Sequence, residues 1–140
     1  MVHVNPPYRC DVVGSFLRPK TIAQARVKFS CGQISKEELT AIEDAEIKKL
    51  IAKELENGLS AVTDGEFRRS YWHLDFMWGL QGLQEITLDH GYIFHGEETT
   101  PGSVQVVGKI SGENHPFVEH FKFVKQFEDD NTVARQTIPA

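Results

Sequence analysis

Leu59-Ser60-Ala61-Val62-Thr63-Asp64-Gly65-Glu66 is the stretch that decides the fold. A short β-branched run that passes straight into acidic residues and a glycine reads as a strand with polar groups at its C-terminal end. Just before it, the segment from Lys36 to Asn57 carries Leu39, Ile42, Ala45, Leu50, Ile51 and Leu55 on a loosely helical period. Ser35 with Glu38 is a capping-box signature for its start, and Gly58 supplies its stop. Further upstream, Arg9-Cys10-Asp11-Val12-Val13-Gly14-Ser15 reads as a first strand closed by a Gly-Ser turn. Pro19 then opens a short helix to about Phe29, which Cys31-Gly32-Gln33 breaks. Strand, helix, strand is a βαβ unit, and such units are normally parallel and right-handed.

Working outward in the other direction, Ser70 to Leu83 is rich in aromatic residues. Trp72, Phe76 and Leu80 recur at four-residue spacing, which predicts a helix. From Gln84 to Ile110 the pattern changes to Ile86, Leu88 and Tyr92-Ile93-Phe94, then a turn-rich Gly96 to Gly102, then Val104, Val106 and Val107. This predicts a β-hairpin excursion. A helix is expected from near His115-Pro116 through Phe127, and Val133 to Ala140 resembles a third strand. The whole chain, 1–140, is read as one partial α/β domain.

Composition narrows the function classes. Hydrophobic residues at 40% and charged residues at 25% are ordinary for a soluble globular protein. At 140 residues, about 68–70% of the unfolded chain's surface can be buried. No apolar run approaches the length of a membrane span, and Met1 to Pro7 lacks the basic and apolar regions of a signal peptide. A cytoplasmic protein without a membrane partner is expected. Fifteen Lys plus Arg against twenty Asp plus Glu, a net charge of -5, argue against a nucleic-acid partner. The two cysteines, Cys10 and Cys31, match no metal-finger spacing and are expected to be buried apolar thiols.

Two strand ends hold the candidate chemistry. At Val13-Gly14-Ser15-Phe16-Leu17-Arg18-Pro19, Gly14 permits close backbone approach, the groups around Ser15 suit a carboxylate, and Arg18 offers a forked cationic donor. An ordinary strand-to-helix connection with a solvated Arg18 fits the same residues. At Thr63-Asp64-Gly65-Glu66-Phe67-Arg68-Arg69, an extended backbone would project Asp64 and Glu66 to one side. That pair suits a ligand ammonium, acid–base work, or salt bridges with Arg68 and Arg69. His3, His73, His90, His95, His115 and His120 show no zinc spacing and read as surface or helix-end residues. Trp72, Phe76, Trp78, Phe117 and Phe121 are expected in the core, with Trp72 close enough to Glu66 to line a pocket wall.

In this order, the Gly-Ser-Phe-Leu-Arg-Pro loop, the helical hairpin with Gly32-Gln33-Ile34-Ser35, Val62-Thr63-Asp64-Gly65-Glu66-Phe67-Arg68-Arg69 and the closing Gln136-Thr137-Ile138-Pro139-Ala140 resemble the catalytic barrel of cobalamin-independent methionine synthases. The likeness is to their shorter single-barrel relatives in particular. It implies the N-terminal portion, about three strands, of a TIM (β/α)8 barrel, since a full barrel takes about 250 residues. It also implies methyl transfer to homocysteine or a similar thiol, with a folate methyl donor. Carried over residue by residue, Gly14 and Ser15 would contact the substrate carboxylate and Glu66 the ammonium. Asp64 would support them, and Arg18 belongs to the loop version of the shorter relatives. The zinc that activates the thiol in that family takes its ligands from later strands, so this chain alone is expected to hold no metal and to be catalytically silent. Its uncovered edges and faces are expected to promote self-association. A uroporphyrinogen-decarboxylase-like barrel, with Arg68 and Arg69 gripping carboxylates, and a non-catalytic binding module are the alternative readings.

Overall fold

The computed structural model describes residue 12 and residues 15–139. The expected first strand falls almost wholly on residues outside this set, as do Cys10 and Gly14. The described residues form a mixed α/β structure that divides into two compact units, the described residues up to 69 with 120–137 and residues 70–119 with 138–139.

The first unit is built on a helical hairpin, α1 (Lys20–Ser30) and α2 (Lys36–Glu56). The start of α2 forms because Ser35 and Glu38 satisfy each other's amides: Glu38 N–H donates to the Ser35 hydroxyl, and Ser35 N–H donates to the Glu38 carboxylate. Its end forms at Gly58, whose φ of 80° lets Leu59 N–H reach back to the Glu54 carbonyl. The chain then enters β1 (Ala61–Val62), which pairs in parallel with β6 (Val133–Ala134) in the register Ala61 to Val133 and Val62 to Ala134. Backbone bonds from Val133 to Ser60 and from Arg135 to Val62 complete the ladder. Ile22, Ile47, Leu50, Ile51, Val62, Phe67, Val124 and Ala134 make the core, with Phe16, Phe121, Phe123 and Phe127 packed around it.

The buried stripe of α2 departs from the sequence expectation. Ala45 and Leu55 are exposed, and the stripe instead runs Leu39, Glu43, Ile47, Leu50, Ile51 and Glu54. Positions 39, 43, 47, 50 and 54 follow the helical repeat faithfully, so the face is regular but includes two carboxylates.

In the second unit the expected helix from Ser70 to Leu83 shrinks to α3 (Leu74–Trp78). Asp75 explains the late start, because its carboxylate accepts from Ser70 N–H at 3.0 Å and Tyr71 N–H at 2.7 Å and holds them in a loop. β2 (Gln81–Thr87) begins three residues after α3 and pairs antiparallel with β5 (Gly102–Ser111), with an irregularity between Gln81 and Leu83. β3 (Ile93–Phe94) and β4 (Glu97–Glu98) form a small hairpin between them, so the predicted β-hairpin excursion is present.

α4 (Pro116–Lys125) is introduced by His115, which is buried and sits at the helix end as expected of these histidines. The Nδ1 of His115 accepts from Phe117 N–H at 3.1 Å, which places the ring proton on Nε2 for donation to the Phe76 carbonyl at 2.9 Å. Phe117 packs edge-on against this ring and Phe76 lies tilted beside it. Two expectations fail on exposure: Cys31 is exposed at the turn after α1, and Trp72 is 60% exposed. Trp72 belongs to the second unit and Glu66 to the first.

Candidate strand-end site

The residues after β1 do not continue as a strand. Gly65 and Glu66 both adopt left-handed backbone conformations, with φ of 60° and 58°. The expectation that Asp64 and Glu66 project to one side of an extended chain is therefore corrected, because the backbone turns between them. Asp64 drives the turn: its Oδ1 accepts from Glu66 N–H at 2.9 Å, and its carbonyl accepts from Phe67 N–H at 3.1 Å. A Cβ at Gly65 would lie 2.4 Å from Leu50 Cδ2 and 3.1 Å from Phe16 Cδ2, so this position has no room for a side chain.

The two strand-end segments singled out in the sequence meet here. Phe16 N–H donates to the Gly65 carbonyl at 3.1 Å, and Arg18 Nη2 donates to the Glu66 carbonyl at 3.1 Å. Arg18 thus braces the turn through its backbone, while Ser15 is exposed at the start of the same loop. From the end of β6, Thr137 Oγ1 donates to Glu66 Oε1 at 3.0 Å. Arg69 Nη1 lies 3.4 Å from that same oxygen, and Arg69 Nη2 donates to the Thr137 carbonyl at 2.5 Å. Glu66 is 4% exposed and Arg69 1% exposed. The salt-bridge alternative thus holds for Glu66 with Arg69, but as a buried pair.

Arg68 does not join them. It pairs with Glu43 at 3.4 Å and with Asp44, and lies over the Phe123 ring. Arg26 donates to the carbonyls of Arg69 at 2.8 Å and Phe67 at 2.7 Å, which locks the chain leaving the turn.

Behind the turn stands Glu54 of α2. Its Oε2 accepts from Thr63 N–H at 3.2 Å and its Oε1 from Thr63 Oγ1 at 3.3 Å, while Thr63 Oγ1 accepts from Gly65 N–H at 3.0 Å. Burial pushes the Glu54 carboxyl up to about 7, against the lowering effect of the Thr63 hydrogen bonds. Burial also raises Asp64, opposed by the Glu66 amide and by Arg69 and Arg68, and raises Glu43, opposed by Arg68 and Arg26. Sequence reasoning found Asp64 and Glu66 but passed over Glu43, Glu54 and Thr137. The helical repeat 39, 43, 47, 50, 54 was the signal that would have exposed the two glutamates. Thr137 lay in the closing segment with no periodicity to mark it.

Among the described residues, several buried polar atoms at these strand ends have no hydrogen-bond partner, notably Asp64 Oδ2 and both amide atoms of Gln136. Buried polar groups are normally satisfied, so the strand ends offer polar capacity beyond their internal needs. A groove of about 380 Å³ between α1 and α2, lined by Ile34, Ile42, Lys28 and Glu46 among others, contains none of these residues. The chemistry therefore points to the strand ends rather than to the groove. Among the described residues no cluster of three or more His, Cys, Asp or Glu is gathered to hold a metal ion, and no helix is long and apolar enough to cross a membrane.

The geometry defines an α/β chain whose polar groups converge where parallel strands end. No protein-family profile matches it. A Listeria monocytogenes protein, a candidate vitamin-B12-independent methionine synthase of known structure, is similar at 45% identity with a TM-score of 0.77, over 99% of this chain and 37% of that one. The Bacillus subtilis (strain 168) protein YxjG is 39% identical over 136 residues, covering 97% of this chain and 36% of that protein. A 5-methyltetrahydropteroyltriglutamate–homocysteine methyltransferase from Synechococcus sp. (strain JA-2-3B'a(2-13)) is 34% identical over 88 residues, 63% of this chain and 11% of that protein. The chain is a member of the cobalamin-independent methionine synthase-like family. It spans about a third of the length of its Bacillus and Listeria relatives.

Proposed function

We propose that the protein takes part in methyl transfer to homocysteine or a similar thiol, and that this chain supplies the grip on the amino-acid end of the substrate as part of a (β/α)8 barrel. The relatives support the methyltransferase class, and the parallel β1/β6 pair supports the barrel reading. The observation that carries the substrate reading is Glu66. Its Thr137 and Arg69 contacts both fall on Oε1, which leaves Oε2 as the oxygen for a ligand ammonium. Ser15 and Gly14 would take the carboxylate, with Arg18 and Asp64 holding the turn in place. The zinc and folate donor that the family implies remain part of the proposal. The described residues do not fit a zinc site, so no step through the metal is derived from them.

The uroporphyrinogen-decarboxylase-like alternative is weakened, because Arg68 and Arg69 are both committed to internal carboxylates. Homocysteine affinity measured by calorimetry for wild type and Glu66→Gln tests the reading. The variant should bind about 10–150-fold more weakly, the value of a charge-assisted hydrogen bond. Unchanged affinity in a folded variant would remove Glu66 from the site.

A further inference from the structure

We propose that Glu54 is the positioning residue of this site: acting through Thr63, it holds the turn after β1 in the conformation that presents Glu66, without itself touching a ligand. The proposal rests on the reading that Glu66 takes the ligand ammonium, and deepens it.

The turn needs an external brace. Glu66 has a φ of 58°, a conformation that costs a non-glycine residue about 1–2 kcal/mol, so its neighbours must impose it. Asp64 supplies one restraint at the Glu66 amide. The other is a continuous chain of hydrogen bonds from Gly65 N–H to the Thr63 hydroxyl and from there to the Glu54 carboxyl. Glu54 commits both carboxyl oxygens to Thr63 and its backbone carbonyl to Leu59. One residue thus ties the end of α2, the entry to β1 and the turn beyond it.

Its position argues the same way. Glu54 is 3% exposed on the apolar face of α2, beside the carboxyl of Asp64 and the guanidinium of Arg135. Asp64 is faced in turn by Glu66, Arg68 and Arg69. An apolar side chain would complete that face at lower electrostatic cost, so the carboxyl is explained by what it holds.

Hydrogen-bond logic also says what can replace it. When ionised, Glu54 accepts from both Thr63 groups. When protonated, it can donate to the Thr63 oxygen while still accepting from the amide. The brace survives either state and only the sense of the hydroxyl bond reverses. A glutamine would do the same, accepting from Thr63 N–H and donating to Oγ1.

The test compares Glu54→Gln, Glu54→Leu and Thr63→Val with wild type. It uses homocysteine affinity and the backbone amide resonances of Thr63, Gly65 and Glu66 followed by NMR across pH. Glu54→Leu and Thr63→Val should lose about tenfold in affinity and shift the Gly65 and Glu66 amides. Glu54→Gln should stay within about threefold and abolish a titration of those amides centred near 7. A folded Glu54→Leu with wild-type affinity, a Glu54→Gln as weak as Glu54→Leu, or amides that ignore all three variants would overturn the proposal. If Glu54→Leu does not fold, Glu54→Gln and Thr63→Val decide it. If wild type binds no homocysteine, the functional reading fails, while the amide shifts still decide the role of Glu54.

Discussion

The two units of this chain treat charge and hydrophobicity in opposite ways. The first draws Arg69, Glu66, Asp64, Glu54 and Glu43 inside, where each charge must be offset by a partner or shift its protonation. The second leaves Tyr92, Ile93, Phe94, Val106 and Val107 largely exposed along its antiparallel strands. A core formed by simple partition would do the reverse in both places. Buried charges gathered at the ends of β1 and β6 therefore point to a task at those ends, and the apolar ribbon carries no comparable set of partnered groups.

The strongest way to break this comparison is to remove a cation from the first unit. Arg69→Met leaves Glu66 and the Thr137 carbonyl without their buried donor, and breaking one partner of a buried pair costs about 3–5 kcal/mol. Urea unfolding should show that loss, and Glu66→Leu in the same chain should recover part of it. A loss below about 1 kcal/mol would mean that the pair behaves as a solvated surface bridge.

Gly65→Ala sharpens the comparison by testing the turn itself. The new methyl group would strike Leu50 on a backbone at φ 60°, and left-handed strain with overpacking together should cost about 2–4 kcal/mol in unfolding free energy. An equal substitution at Gly96 meets no atom within 4 Å, so its cost should come from the backbone alone and be smaller.

Much of this was readable from sequence, and the failures have physical causes, among them distant partners and local competition for polar groups. The capping box, the stop at Gly58 and the β1 strand rest on local chemistry, and they stand where the sequence put them. Asp64 and Glu66 were found because acidic residues beside a glycine at a strand end are a local signal. What escaped depends on partners far along the chain: Thr137 meets Glu66 from 71 residues away, and Arg26 reaches Phe67 and Arg69 from 41 and 43 residues away. Glu54 escaped for a different reason: its partner Thr63 is only nine residues away, but burial of a carboxyl on an apolar helix face runs against its polarity. The aromatic stripe of Ser70 to Leu83 misled in the other direction, since Asp75 captured two amides that the predicted helix would have needed.

A smaller effect concerns pH. The Glu54 carboxyl is raised to about 7 in the folded chain from an ordinary 4.5, so the native state holds a proton that the unfolded state releases between those values. Stability from this group is present below about 4.5 and is lost as pH rises toward 7. Glu43 and Asp64, also raised, act in the same sense. Urea midpoints from pH 4.5 to 7.5 should therefore decline more steeply for wild type than for Glu54→Gln. Parallel curves would show that Glu54 is ionised throughout.

The smallest effect is expected in the second unit, and it completes the contrast. Ile93 is 71% exposed in the β3–β4 hairpin, where an isoleucine has little surface left to withdraw from water. Ile93→Thr keeps the β-branched shape that suits a strand, and surface substitutions away from special features usually stay within about 0.5 kcal/mol. Chemical unfolding of the variant should therefore match wild type, while Arg69→Met and Gly65→Ala do not. A loss of more than about 1 kcal/mol for Ile93→Thr would mean that the hairpin is covered in solution, by a second copy or by other parts of the protein. Repeating the measurement over a hundredfold range of protein concentration separates those two cases, because only association makes the midpoint depend on concentration.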